Sequence, residues 1–228
     1  MLRSPTSRRP VAGIPLLAAV VAVAAALFCI GSPPARAGIE TTTRAEVLTE
    51  VERSPFAKGM REAGLTAGFL YSPVFGARNR QTFSYAQQDL TLGWMLNTPT
   101  GSSWYRGNFE LLLNFAGAEV AQGPGSYLIG GRVLLRYNFV QPAAKWVPFI
   151  QIGAGGLGND VYRDDSQRLI GSAFEYTLVG DIGLRYFLSP RWALVGMVDF
   201  EHISNANSAS RNLGVNALGG MIGISTFF

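Results

Sequence analysis

Cysteine and histidine are nearly absent from this chain: Cys29 and His202 are the only ones in 228 residues. Cys29 lies in an N-terminal apolar run, so the rest of the chain has no thiol for a disulfide framework, a thiolate nucleophile or a cysteine-ligated metal. One imidazole without a carboxylate cluster leaves zinc no ligand set, and no metal or cofactor is expected. Charge is also scarce, at 15% of residues, and after residue 30 no further apolar run is long enough for a spanning helix.

Residues 1–37 read as a secretory signal peptide. Arg3, Arg8 and Arg9 form a basic start, Val11 to Ile30 is almost wholly apolar, and Ala35-Arg36-Ala37 offers a cleavage site. A retained anchor fits less well because the cleavage site follows at once. A lipidated Cys29 fits less well because Phe28 is bulky, and Ser7-Arg8-Arg9 is a weak twin-arginine signal. Cleavage removes four of the 19 basic residues and none of the 15 acidic ones, leaving 15 of each. The basic balance therefore belongs to the precursor, and no nucleic-acid partner is expected.

Residues 38–60 are polar, with a short helical tendency over 45–51, and read as a periplasmic lead-in. From Arg61 the texture changes to alternating, aromatic- and glycine-rich stretches at about 61–72, 83–96, 105–118, 126–140, 147–157, 171–188, 191–204 and 214–228. Stretches of about ten alternating residues separated by turn signals predict an all-β, eight-stranded antiparallel transmembrane barrel over residues 61–228. Residues 97–104, 141–146 and 189–190 read as short turns, and 73–82, 119–125, 158–170 and 205–213 as polar or glycine-rich loops. That alternation expects both termini in the periplasm. The closing Ser225-Thr226-Phe227-Phe228 fits the terminal aromatic of outer-membrane barrels.

Parity assigns the faces. Phe109, Leu111, Leu113 and Phe115 oppose Asn108, Glu110 and Asn114; Ile129, Val133, Leu135, Tyr137 and Phe139 oppose Arg132, Arg136 and Asn138. Phe174, Tyr176, Leu178, Ile182, Leu184 and Tyr186 oppose Glu175, Thr177, Asp181 and Arg185. The aromatics share the face away from the charges, which places lipid outside and a paired polar core inside. Glu110, Glu175, Asp181, Asp199 and Glu201 are then expected to meet Arg132, Arg136 and Arg185 in the lumen, since an unpaired buried charge is costly.

The seventh stretch continues this pattern through Trp192, Leu194, Val198 and Phe200 to His202 and Ser204, with Asp199 and Glu201 facing inward. In the eighth, Asn216 shares parity with Leu218, Ile222, Ile224 and Phe228. An imidazole, a hydroxyl and an amide thus converge on the lipid-facing wall at its extracellular end. A polar cluster there suggests function, although the interfacial rim, where polarity costs little, accommodates the same residues without one.

The run His202-Ile203-Ser204-Asn205-Ala206, followed by Arg211-Asn212-Leu213-Gly214-Val215-Asn216, resembles the signature of the lipid A 3-O-deacylase family of acyloxyacyl-hydrolase-like outer-membrane barrels. The resemblance implies an esterase that removes the 3-position acyl chain of lipid A in the Gram-negative outer membrane. It also implies lipopolysaccharide as partner and a homodimer. By position, Ser204 would be the nucleophile, His202 the general base, Asn216 the third member, and Asn205 and Asn212 groups near the oxyanion and substrate. Leu213 stands where the family has Pro, and Asn216 where it carries Glu. An amide accepts the imidazole N–H but supplies no charge, and such a replacement in a serine enzyme can cost on the order of 10⁴ in rate.

Two further classes compete with the esterase. One is a non-catalytic structural, adhesion or lipid-binding barrel; the other is a channel, which the narrow, filled lumen of eight strands disfavours.

Overall fold

The computed structural model describes residues 54–72 and 81–228. The predicted signal segment 1–37, residues 38–53 of the lead-in and most of the first loop lie outside the described residues. Eight strands pair in chain order and close: β1 (Arg61–Ser72), β2 (Phe83–Met95), β3 (Gly107–Gln122), β4 (Tyr127–Phe139), β5 (Trp146–Asn159), β6 (Phe174–Ser189), β7 (Trp192–Ser204) and β8 (Val215–Phe227). Every pair is antiparallel. The seam between β1 and β8 runs from Glu62 opposite Phe227 to Tyr71 opposite Leu218. Closure leaves no strand edge unpaired, which is the condition for β-structure in hydrocarbon. No described helix is long and apolar enough to cross a membrane.

Strand lengths of 12 to 16 residues exceed the roughly 10 that a tilted span needs, so the strands project beyond the apolar band. This explains where the elements differ from expectation. Residues 119–122, expected as loop, extend β3: Val120 stays opposite Tyr85 and Gln122 opposite Ser84. Residues 171–173 belong to the loop before β6, because the Gly171 and Ser172 N–H groups turn to the Glu175 carboxylate. The connection over residues 96–106 is longer than that over 123–126, reversing the expected short–long order there. It holds a short 3-10 turn, Ser103–Tyr105, whose Trp104 stacks on Phe139.

Parity sorts the side chains as expected. Ile182 and Ile222 are 70% and 74% exposed on the outer wall, a surface that only an apolar solvent accommodates. Aromatic residues gather at both ends of this band: Phe109, Tyr137, Phe139, Trp146 and Tyr186 toward the end that carries the termini, Tyr71, Tyr127, Phe174 and Tyr176 toward the other. Such girdles mark membrane–water interfaces.

The lumen is packed. Toward the end with the termini, Arg136 reaches Glu62 at 3.1 Å and Glu110 at 3.4 Å, and Arg185 bonds both carboxylates and the Asn138 side chain. Gly183 leaves room for the Phe149 ring, under the Arg136 and Arg185 guanidiniums. Arg132 bonds Glu201 at 2.5 Å and lies 3.8 Å from Asp89. The expected pairing therefore needs correction. Glu62 and Asp89 join the arginines, whereas Glu175 accepts backbone N–H groups and Asp181 accepts from Gln151. Asp199 lies opposite Asp181 without a hydrogen-bond partner for either oxygen among the described residues. Which strands meet across a lumen is set by the stagger of the barrel, which parity on one strand does not contain.

Apolar plugs close both ends. Phe56, from the lead-in, is buried against Met95, Val140, Val147, Ala193 and Phe227 at the end with the termini, and its carbonyl accepts from Asn108. At the other end Leu70, Phe83, Leu128, Leu157, Ile170, Ile203, Val215 and Met221 pack together. Arg185→Ala leaves the buried Glu62 and Glu110 short of a cation and is expected to cost about 3–5 kcal/mol. Urea unfolding of the barrel in phospholipid vesicles measures this; a loss under about 1 kcal/mol contradicts a stabilising role for the network.

Candidate functional site

The wall at the far end of β7 and β8 is fixed from behind. Glu201 is fully buried on the lumenal face, where its carboxylate accepts from Arg132, from the Tyr85 hydroxyl at 2.8 Å and from the Thr177 hydroxyl at 2.6 Å. Ile203, Val215 and Ala217 are buried in the apolar plug beside it. With positions 201, 203, 215 and 217 anchored inward, 202, 204 and 216 must project outward.

His202 and Asn216 are direct cross-strand partners. The His202 Nδ1 lies 2.6 Å from Asn216 Oδ1, and Nε2 lies 3.0 Å from Ser204 Oγ. All three residues are half-buried. With an amide oxygen as its neighbour, Nδ1 carries the proton, and Nε2 presents a lone pair to the serine hydroxyl, which donates to it. That tautomer can remove a proton from Ser204 Oγ, as a general base does. Tyr176 and Leu178 of β6 stand opposite Ser204 and His202, and Phe200 and Leu218 lie next along the wall, all exposed and apolar apart from the tyrosine hydroxyl.

Ser204 ends β7, and the chain turns sharply. Ala206 and Asn207 take φ of 50° and 64°, a left-handed conformation in which a residue other than glycine is strained. Gly214 has φ 69°, and a Cβ there would sit 3.0 Å from the Ile203 carbonyl oxygen and 3.5 Å from His202 Cε1. Glycine is needed at this point both for its backbone conformation and for the closeness of the ring.

Asn205 and Asn212 both lie in the turn that follows Ser204. Asn205 is fully buried; its side-chain amide donates to the Arg211 carbonyl at 2.9 Å, and its backbone N–H donates to Asn212 Oδ1 at 3.0 Å. Asn212 Nδ2 donates to the exposed Asn207 side chain at 3.1 Å. In this arrangement both close the turn. No group of three or more potential metal-ligating side chains occurs among the described residues.

Sequence reading missed the parts of the site that lie inside or far along the chain. Tyr85 and Thr177 on Glu201 are two, and the loop over residues 160–173 that meets Arg211 is another. Parity indicated that Thr177 faces inward; nothing local indicated Tyr85 or Arg211.

Residues 61–225 match the family described as Lipid A 3-O-deacylase (PagL). The crystal structure of the outer membrane enzyme PagL is 18% identical with a TM-score of 0.49, over 71% of this chain and 97% of that one. Neisserial surface protein A is 12% identical with a TM-score of 0.50, over 75% of this chain and 96% of that one, which shows a shared fold alone. No curated protein sequence matches. Because the family match runs from the first residue of β1 to within three residues of the end of the chain, the protein belongs to the lipid A 3-O-deacylase (PagL) family of Gram-negative outer-membrane hydrolases.

Proposed function

We propose that this barrel cleaves the 3-position acyl ester of lipid A as a serine esterase, with Ser204 as nucleophile, His202 as general base and Asn216 as the group that orients the ring. The observation that carries this reading is the imidazole bridging Asn216 Oδ1 and Ser204 Oγ on the lipid-facing wall. With both termini periplasmic, that wall meets the outer leaflet, where lipid A resides. An acyl ester in that leaflet then reaches Ser204 without leaving the bilayer, its chain against the apolar surface around Phe200 and Leu218.

The chemistry proceeds in two halves. Ser204 Oγ attacks the ester carbonyl carbon while Nε2 takes its proton. The tetrahedral adduct collapses, the imidazolium protonates the departing sugar oxygen, and the acyl chain stays on Ser204. Water then attacks the acyl-enzyme with His202 again as base, releasing the fatty acid and restoring the serine. Of the two asparagines beside the turn, Asn212 is the better oxyanion donor, since its Nδ2 donates to the exposed Asn207 side chain. Asn205, held by the Arg211 carbonyl, anchors the turn. One such donor is worth about 10²–10³ in rate.

Asn216 also favours a second reading, a barrel that holds lipid A without cleaving it, because an amide leaves the imidazolium without a counter-charge. One assay separates the two. Purified protein in lipopolysaccharide-containing vesicles is expected to release 3-hydroxy fatty acid, detected by mass spectrometry, and Ser204→Ala is expected to release none while remaining a folded barrel. Full release by Ser204→Ala removes Ser204 from the mechanism, and no release by the unaltered protein favours the lipid-holding reading.

Asn216→Glu tests the third position. A carboxylate fixes the Nδ1–H tautomer and stabilises the imidazolium, so kcat is expected to rise by about tenfold or more. Asn216→Leu, which can hold neither proton nor ring, is expected to lower it at least as much. Steady-state deacylation of both variants checks the pair, and equal activity in all three proteins shows that position 216 does not touch the base.

A further inference from the structure

The turn after Ser204 does not stand alone. The segment 205–214 joins β7 to β8, and at two points it is fastened to the loop over residues 160–173, which contributes no member of the His–Ser–Asn group. Arg211 makes the first fastening. Its guanidinium donates to the Asp164 carbonyl and to the Tyr162 carbonyl, each at 2.7 Å, and lies 3.1 Å from the Asp165 carboxylate. Backbone pairing makes the second: Leu213 N–H donates to the Arg168 carbonyl at 3.0 Å, and Gly214 N–H to the Leu169 carbonyl at 2.9 Å.

The 160–173 loop is itself stiff. Gln167 is buried at its centre, accepting from the Leu169 and Ile170 N–H groups and donating to the Val161 and Ile170 carbonyls. Asp164 accepts from both the N–H and the hydroxyl of Ser166, which holds its carboxyl below the usual carboxylate range.

Both fastenings lead to the site. The Arg211 carbonyl receives the Asn205 side chain, and Asn205 follows Ser204 directly. Gly214 lies against His202 and Ser204 from the other side. We propose that Arg211 is a positioning residue for the esterase, and that the 160–173 loop is a strut whose hold, through Arg211, sets the approach of Ser204 Oγ to the His202 ring. The proposal rests on the assignment of Ser204 as nucleophile. The two carbonyl bonds provide the hold. Asp165 is 95% exposed at its side chain, so its ion pair adds little. A lysine cannot reproduce the planar fork that spans two carbonyls.

The experiment compares Arg211→Met, Arg211→Lys, Asp165→Asn and Ser204→Ala in detergent-solubilised full-length protein. It reads kcat and KM for lipopolysaccharide, the labelling rate of Ser204 by a fluorophosphonate, and thermal unfolding. Arg211→Met is expected to lower kcat and labelling together by about ten- to a hundredfold, the scale for slight misplacement of reacting groups, with KM and unfolding unmoved. Arg211→Lys is expected to recover part of that loss, and Asp165→Asn to stay within about twofold of the unaltered protein.

Wild-type kcat in Arg211→Met overturns the proposal. So does a loss that merely tracks the folded fraction, or one confined to KM, which makes Arg211 a substrate contact instead. If Arg211→Met does not fold, Arg211→Lys decides: reduced kcat and labelling at unchanged KM and unfolding support the strut, and wild-type values overturn it. Ser204→Ala keeps the two assignments apart. An active Ser204→Ala removes the nucleophile itself, whereas an inactive Ser204→Ala beside a fully active Arg211→Met removes only the strut.

Discussion

Alternation of side chains along β7 ties the interior of this barrel to its outer surface. Glu201 is held inside by Arg132, Tyr85 and Thr177, and a residue on either side of it has no choice but to face lipid. A one-residue slip of β7 would bring His202 and Ser204 into the lumen and put Glu201 into hydrocarbon, at the cost of an unpaired charge. The ion pair with Arg132 thus does more than fill the lumen: it fixes the register on which the geometry of His202, Ser204 and Asn216 depends. A surface site in a bilayer has no solvent shell to organise it, and a rigid wall takes that part.

The same interior bears on what the barrel can be. Arg136 and Arg185 share Glu62 and Glu110, Arg132 pairs with Glu201, and apolar plugs around Phe56 and Ile170 close the two ends. A lumen filled in this way by the described residues disfavours a channel. The lead-in residue Phe56 matters here because its ring sits near Arg185 and against Phe187 and Phe227, so a segment outside the strands completes the packing of their polar core.

How much of this was legible in the sequence depended on the range of the interaction. Strand parity needs only neighbours two apart, and it located the outer face of β3, β4, β6, β7 and β8 residue by residue, including the shared face of His202, Ser204 and Asn216. Strand ends were less legible because composition was asked to mark them: Glu119 and Gln122 are polar yet remain in the β3 ladder beyond the apolar band. The partners of lumenal charges were not legible. Arg136 finds Glu62 across the barrel, 74 residues away, and Arg185 finds it from 123 away, by a stagger that no single strand encodes. Asn205 and Asn212 illustrate a third case. The resemblance placed them beside the chemistry, but the bonds by which they also close the turn, to the Arg211 carbonyl and to Asn207, were not legible.

Asn216 is where fold and chemistry meet most closely. A carboxylate at this position would do two things for the imidazole: fix which nitrogen bears the proton, and stabilise the cation formed when Ser204 gives up its own. An amide does the first only while its oxygen faces Nδ1; rotated by half a turn, it donates to Nδ1, the ring proton moves to Nε2, and the base is lost. The orientation of one side-chain amide therefore decides between two tautomers with opposite consequences. The wall around it is apolar and offers the amide nitrogen little competition for the ring. The second task stays undone, because the buried carboxylate nearest in sequence, Glu201, is committed to Arg132 on the far side of the sheet. Parity, which brings His202 to the lipid face, is also what keeps Glu201 from serving it.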